Sequence, residues 1–210
     1  MKIHEIVTNN FSEIFEPKIL KELCDYGILK HAEPDQIILE IRREIHFIPI
    51  LISGVAKVMR RDGKGNGIFL HYLSDNESSA VAITYSLETK KSEIRIKAES
   101  NVTYIAVPAK TVNSWFLKYN SWRSFYLKMN QNQTSFLLER INDIAFENLE
   151  FRVKKYVEYT SLIHKDKVIN RKHFDIARDL RVSREAVSRI LKKLEVEDFI
   201  TLGRNKITLN

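Results

Sequence analysis

Residues 173–196 read HFDIARDLRVSREAVSRILKKLEV, two short apolar stripes with only Arg181 and Val182 between them. In the second stripe Val187, Ile190, Leu191 and Leu194 recur at i, i+3, i+4 and i+7, one face of an amphipathic helix. Glu185, Ser188, Arg189 and Lys192 point the other way. Ser183 stands where a hydroxyl can cap the first turn. His173, Ile176, Ala177 and Leu180 repeat the spacing in the first stripe, where His173 reads as a partly packed helix residue. Two helices joined by so short a turn predict a helix-turn-helix. The residues expected to meet DNA are then Ser183, Arg184, Glu185, Ser188, Arg189 and Lys192, with Arg184, Glu185, Ser188 and Arg189 reaching base edges near the start of the second helix.

The flanks extend this unit. Phe199 to Leu202 and Lys206 to Leu209 are strand-like runs around Gly203-Arg204-Asn205, a β-hairpin wing whose Arg204 and Lys206 can touch phosphate. Upstream, Leu149, Val153, Tyr156, Thr160 and Ile163 mark an amphipathic helix. From Arg152 to Asn210 there are 15 Lys and Arg against 8 Asp and Glu, whereas the first 151 residues hold 19 of each. The entire net charge of +7 therefore lies around the helix-turn-helix, where it attracts phosphate backbones through counterion release. Double-stranded DNA is the partner this placement implies.

Residues 121–146 contain neither Gly nor Pro. Phe125, Met129, Asn132 and Phe136 step by 4, 3 and 4, with Leu137, Ile141 and Ile144 alongside. That heptad-like seam predicts a homodimer helix in which Asn132 sets register; the competing reading is a helix lying on its own β-domain. Thr111 to Lys118, after Pro108, is a shorter helix. Between residues 36 and 107 the character is β: QIILEI, IHFIPILI, two runs around Asp62-Gly63 and Gly65-Asn66-Gly67, then SEIRIKA and VTYIAV. The glycine-rich pair of turns signals a hairpin, and the whole predicts an antiparallel sandwich or barrel of roughly 100 residues. Residues 3–30 predict short helices broken at Pro17.

Composition excludes several classes. At 210 residues, with 44% apolar and 29% charged residues, the chain can build real cores in one large or two modest domains. Cys24 is the sole cysteine, so an internal disulfide, an iron–sulfur cluster and a Cys-rich zinc site are all ruled out, and the thiol reads as packing. MKIHEIVTNNFSEIF lacks the apolar stretch of an export signal. The run Phe47 to Met59 is interrupted by Ser53, Gly54 and Lys57, short of the ~18 to 20 residues of a membrane helix. A cytoplasmic protein without a membrane partner is expected.

Taken together, these residues give the chain a resemblance to the Crp/Fnr family of bacterial transcription regulators, over nearly its whole length. The strongest part is IARDLRVSREAVSRILKKLEVEDFI, through Ile176-Ala177, Leu180, Ser183-Arg184-Glu185, Val187, Ser188-Arg189 and Leu191 to Leu194. Arg181 and Asp198 replace frequent glycines, where a positive φ burdens Arg more than Asp. The resemblance implies an α+β chain in three parts. Residues 1–110 would form a cyclic-nucleotide-binding-type β-roll or jelly roll with N-terminal helices, 111–147 the linking and dimerisation helices, and 148–210 a winged helix-turn-helix. It makes Arg184, Glu185 and Arg189 the base-reading residues of a homodimer on a two-fold symmetric operator, and RNA polymerase a further partner, although no motif here marks a surface for it. Arg bonding guanine O6 and N7, and Glu accepting from the cytosine amino group, fit a G·C-containing half-site.

The β-roll resembles the family through Ser53-Gly54-Val55 and Asp62-Gly63, but the phosphate-binding cassette does not match. The chain reads SDNESSAVAITYSLETKKSEI, without the family's Gly-Glu pair, and Lys91-Ser92 stands where Arg-Ser would. Lys91 and Ser92 are the candidate ligand contacts, Lys91 meeting a phosphate as a point charge and not as a bidentate fork. Cyclic nucleotide is therefore not expected as a cofactor, and the effector stays open. Two other classes remain: a β-roll sensor working through protein partners, and a small-molecule enzyme. No catalytic constellation supports the second. His31, His46 and His71 lack the spacing of a metal-binding cupin, and DGKGNG lacks the helix-opening context of a phosphate loop.

Overall fold

The computed structural model describes residues 3–61, 67–88 and 90–210. The chain is α+β, with antiparallel sheets followed by a long helix and a helical C-terminal region. It divides into two compact units, residues 1–61 with 70–136 and residues 62–69 with 137–210.

In the first unit, α1 (Ile3–Phe11) and α2 (Pro17–Tyr26) are the two helices expected on either side of Pro17, which sits at the helix start, where its missing N–H costs nothing. One sheet has the order β1-β7-β3, from Ile28–Ala32, Val102–Pro108 and Phe47–Ser53. The other runs β2-β6-β4-β5, from Ile37–Leu39, Ile94–Ala98, Ala56–Arg61 and Gly67–Leu73. In β6 Ile94, Ile96 and Ala98 are buried while Arg95 and Lys97 lie half-exposed, the period of a strand with one dry face. Arg95 donates from Nε and Nη2 to the two oxygens of Glu40, at 2.9 and 2.7 Å. Gly54 takes φ +90, and a Cβ there would stand 2.2 Å from the Asn101 carbonyl oxygen. The hairpin turn read at residues 62–66 lies outside the described residues, but β4 and β5, which flank it, are sheet neighbours.

Two elements escape the sequence pattern. β1 is an edge strand whose residues ILKHA are mostly exposed, so no alternation marks it. α3 (Ala80–Leu87) forms in the cassette segment from AVAITYSL, a composition with little helical preference. Tertiary contacts hold it. Ser79 Oγ caps it by accepting from the Ala82 amide, Thr84 and Tyr126 share a hydroxyl bond of 2.8 Å, and Gln133 accepts from the Ala80 amide while donating to the Ser78 carbonyl at 2.8 Å.

α4 (Ala109–Lys118) follows Pro108 directly and leads into α5 (Asn120–Phe146). Trp115, Trp122, Phe15 and Phe125 form an aromatic cluster, and Glu22 of α2 accepts from Trp115 Nε1 at 2.6 Å and from the Tyr119 hydroxyl at 2.7 Å. This cluster corrects the predicted seam. Phe125 packs on Phe15 and Trp122, and Met129 is buried in the same core with its Sδ 3.3 Å from the Ser78 amide. The first half of α5 thus lies on its own β-domain, the competing reading above. Asn132 is exposed and Phe136 half-buried. The large apolar residues of α5 left outside are Leu127, Leu138, Ile141, Ile144 and Phe146, each more than 60% exposed.

The second unit contains α6 (Leu149–His164), β8 (Val168–Ile169), α7 (His173–Leu180), α8 (Arg184–Val196), β9 (Ile200–Gly203) and β10 (Lys206–Leu209). Its sheet has the order β8-β10-β9, and its core gathers Val153, Tyr156, Val157, Ile176, Val187, Leu191, Leu194, Ile200 and Ile207. Asn148 caps α6 by accepting from the Phe151 amide at 2.9 Å. Among the described residues no helix is long and apolar enough to cross a membrane.

Candidate nucleic-acid interface

The helix pair read from residues 173–196 is built from its apolar stripes. Ile176, Ala177 and Leu180 of α7 are buried with Val187, Ile190, Leu191 and Leu194 of α8 in a single core. Val182 packs against that core, so the three-residue turn is anchored at its middle. Arg181 ends α7 at φ 57, ψ 49, the left-handed conformation expected at that position, and Asp198 takes φ 58 after α8. Ser183 Oγ accepts from the Ala186 amide at 3.1 Å, closing the first turn of α8.

Burying that stripe leaves Arg184, Glu185, Arg189 and Lys192 exposed along the opposite side of α8. None of the four side chains makes a hydrogen bond or ion pair with another described residue. Lys193, on the neighbouring flank, is engaged instead: Nζ lies 2.6 Å from Glu150 Oε2 and 3.7 Å from Glu197. The chain satisfies its own charges on that flank and leaves those of the neighbouring face exposed.

Ser188 differs from its neighbours. It is half-buried, and its Oγ lies 2.8 Å from His173 Nδ1 of α7. Burial and the charge of Arg184 both hold the His173 imidazole below its ordinary range, so at neutral pH the ring is uncharged. The hydroxyl predicted to reach a base is thus shared with a histidine that the sequence presented only as packing.

The wing completes the surface. β9 and β10 pair antiparallel with Gly203 opposite Lys206, and Asn205 turns the hairpin at φ 57. Arg204 and Lys206 are exposed. Between the wing tip and the starts of α7 and α8 lies a groove of about 620 Å³, where Lys172, Arg184 and Arg204 converge with His173, Phe174 and Asn205. Three cations around one concavity give it a positive lining, the chemistry that attracts an anion. Lys172 and Asn205 were not among the predicted contacts. The only signal for Lys172 was a basic residue immediately before the first helix, and Asn205 was legible only as a turn residue.

The other candidate contacts fall in the first unit. Lys91 is exposed, in an isolated bridge with Glu44. Ser92 is buried, and its Oγ donates to the Ile94 carbonyl at 2.7 Å while accepting from the Ile94 amide at 3.2 Å. This corrects the pairing of Lys91 with Ser92: the serine hydroxyl closes a local turn just ahead of β6 and is spent on the backbone of Ile94. Among the described residues no group of three or more His, Cys, Asp or Glu is placed to hold a metal.

No protein-family model and no curated protein matches the sequence. Solved structures do match. A protein from Eubacterium rectale assigned to the Crp/Fnr family of transcriptional regulators superposes with a TM-score of 0.81 at 21% identity, over 96% of this chain and 94% of its own. The c-di-GMP-responsive global regulator CLP of Xanthomonas campestris gives 0.77 at 12% identity, over 92% of this chain and 99% of its own. A Crp/Fnr-family transcriptional regulator from Thermus thermophilus gives 0.73 at 17% identity, over 87% and 93%. At these identities the likeness is one of architecture, and the chain has the fold of the Crp/Fnr transcriptional regulators.

Proposed function

We propose that the chain is a sequence-specific DNA-binding regulator whose α8 reads base edges in the major groove while the wing and the start of α7 hold the phosphate backbone. The observation that carries this reading is the row Arg184, Glu185, Arg189 and Lys192, exposed and without partners among the described residues, beside a groove where Lys172, Arg184 and Arg204 converge. An Arg can fork onto guanine O6 and N7, and a Glu can accept from cytosine N4. The solved regulators of the same fold add support.

The protein acts as a homodimer in this reading, through the outward side of α5. Leu127, Gln131, Thr134, Leu138, Ile141 and Ala145 are all exposed and step by 4, 3, 4, 3 and 4, a heptad seam displaced from the predicted one by the burial of Phe125 and Met129. Dimer symmetry then places two half-sites about 10 bp apart, centre to centre. Cyclic AMP is not expected as the effector in this reading: the Ser92 hydroxyl is bonded to the backbone of Ile94, and the first amide of α3 is held by Gln133.

Selection of bound duplexes from random DNA, with and without cyclic AMP, tests the proposal. The expected product is an inverted repeat with G·C-containing half-sites, enriched equally under both conditions. Failure to enrich any sequence contradicts the regulator reading, and enrichment only with cyclic AMP contradicts the reading of the β-roll.

A further inference from the structure

The bond between His173 and Ser188 ties α7 to α8 at a side chain placed to meet a base. Nδ1 and Oγ are 2.8 Å apart, and the half-buried serine directly precedes the exposed Arg189. A hydroxyl has a single proton to give. Given to Nδ1, it leaves Oγ able only to accept from a base. Where Nδ1 itself carries a proton and donates to Oγ, the hydroxyl proton is free to donate outward. The state of the imidazole therefore decides what Ser188 can read.

The surroundings favour the first arrangement. The charged groups lining the groove with His173 are Lys172 beside it, Arg184 of α8 and Arg204 of the wing, all cations, and none of the lining residues is acidic. Asp175, one turn into α7, is paired with Arg178 at 3.1 Å. Burial and the charge of Arg184 keep the ring neutral, with one proton for its two nitrogens. Nε2 is bonded to no described residue and is not a buried orphan, so it keeps contact with solvent. A backbone phosphate drawn to these cations offers acceptors alone, and a ring nitrogen that meets it must hold the proton. Resting on the reading of α8 as the base-reading helix, we propose that His173 is a positioning residue that sets the base preference of Ser188. Its Nε2–H donates to a backbone phosphate, its Nδ1 accepts the Ser188 hydroxyl proton, and Oγ is left to accept from an exocyclic amino group, cytosine N4 or adenine N6. Guanine and thymine present acceptors in the same place and are refused.

Fluorescence anisotropy of the full chain on a selected duplex and its single base-pair variants tests this with wild type, Ser188→Ala, His173→Phe and the double variant. The position Ser188 reads is the one whose preference is lost in Ser188→Ala. There the wild type is expected to favour cytosine or adenine over guanine or thymine on the facing strand by roughly five- to ten-fold. His173→Phe frees the hydroxyl to donate or accept, and should bring the two pairs of bases to within about two-fold. In the Ser188→Ala background the same substitution should change nothing further at that position. Acidifying the wild type from about pH 8 to about pH 5 should weaken the preference, because a protonated Nδ1 donates and releases the hydroxyl proton, and His173→Phe should show no such change. A preference for guanine or thymine, a preference that survives in His173→Phe or is constant with pH in the wild type, or a Ser188→Ala variant that alters no position would overturn the proposal while leaving specific DNA binding in place. Enrichment of no sequence by the wild type would defeat the regulator reading as well.

Discussion

Arg181 carries backbone strain at the turn between α7 and α8. Its left-handed conformation costs a Cβ-bearing residue about 1 to 2 kcal/mol. Arg181→Gly removes that strain but loosens the unfolded chain, so a net gain of about 1 kcal/mol is expected in urea unfolding, and a loss would contradict the strain. The position was legible from the missing turn glycine, whereas His71 was not. Both its ring nitrogens are buried and have no hydrogen-bond partner among the described residues, and burial pushes its pKa from 6.5 down to about 4. Between those values the unfolded chain takes up a proton that the folded chain refuses, so stability is full above pH 6.5 and falls as pH drops through the window. The penalty by pH 4 is about 3 kcal/mol. His71→Leu should remove that part of the acid sensitivity, and urea midpoints that fall equally in variant and wild type would exclude His71 as its source.

At the scale of elements, α5 shows how far a periodic pattern can be read. Its length was visible in the absence of Gly and Pro from residues 121–146, but a helix with apolar residues on two sides does not reveal which side meets its own domain. The aromatic cluster around Trp122 decides that, by drawing in Phe125 and Met129. Substitutions on the two sides should therefore separate. Leu138→Glu or Ile141→Glu should give a folded monomer by light scattering, whereas Met129→Ala should cost about 2 to 5 kcal/mol of stability and leave the assembly state intact. A dimer that survives both charged variants would place the partner contact elsewhere. The pair α7–α8 was legible almost residue by residue because one side of α8 is entirely buried, so its spacing has a single solution. α3 and β1 were hidden because long-range bonds and an edge position hold them in place, rather than local periodicity.

Across the whole molecule, charge and burial divide along the chain. The first 151 residues are neutral, and the excess of +7 lies in the C-terminal 59. There Arg184, Arg189 and Lys192 of α8, with Arg204 and Lys206 of the wing, are exposed, and their side chains make no hydrogen bond or ion pair with a described residue. The exposed side of α8 was legible because its other side is a single apolar stripe. No ligand was legible in the cassette segment, where the Ser92 hydroxyl and the first amide of α3 are bonded from within the chain. The central claim is that α8 reads bases, and the Arg189→Ala variant addresses it most directly. Fluorescence anisotropy of wild type and variant on an enriched duplex and on a scrambled one, at one salt concentration, should show the variant losing about 1 to 3 kcal/mol on the enriched duplex and little on the scrambled one. Equal losses on both would make Arg189 a phosphate contact and contradict the base-reading assignment.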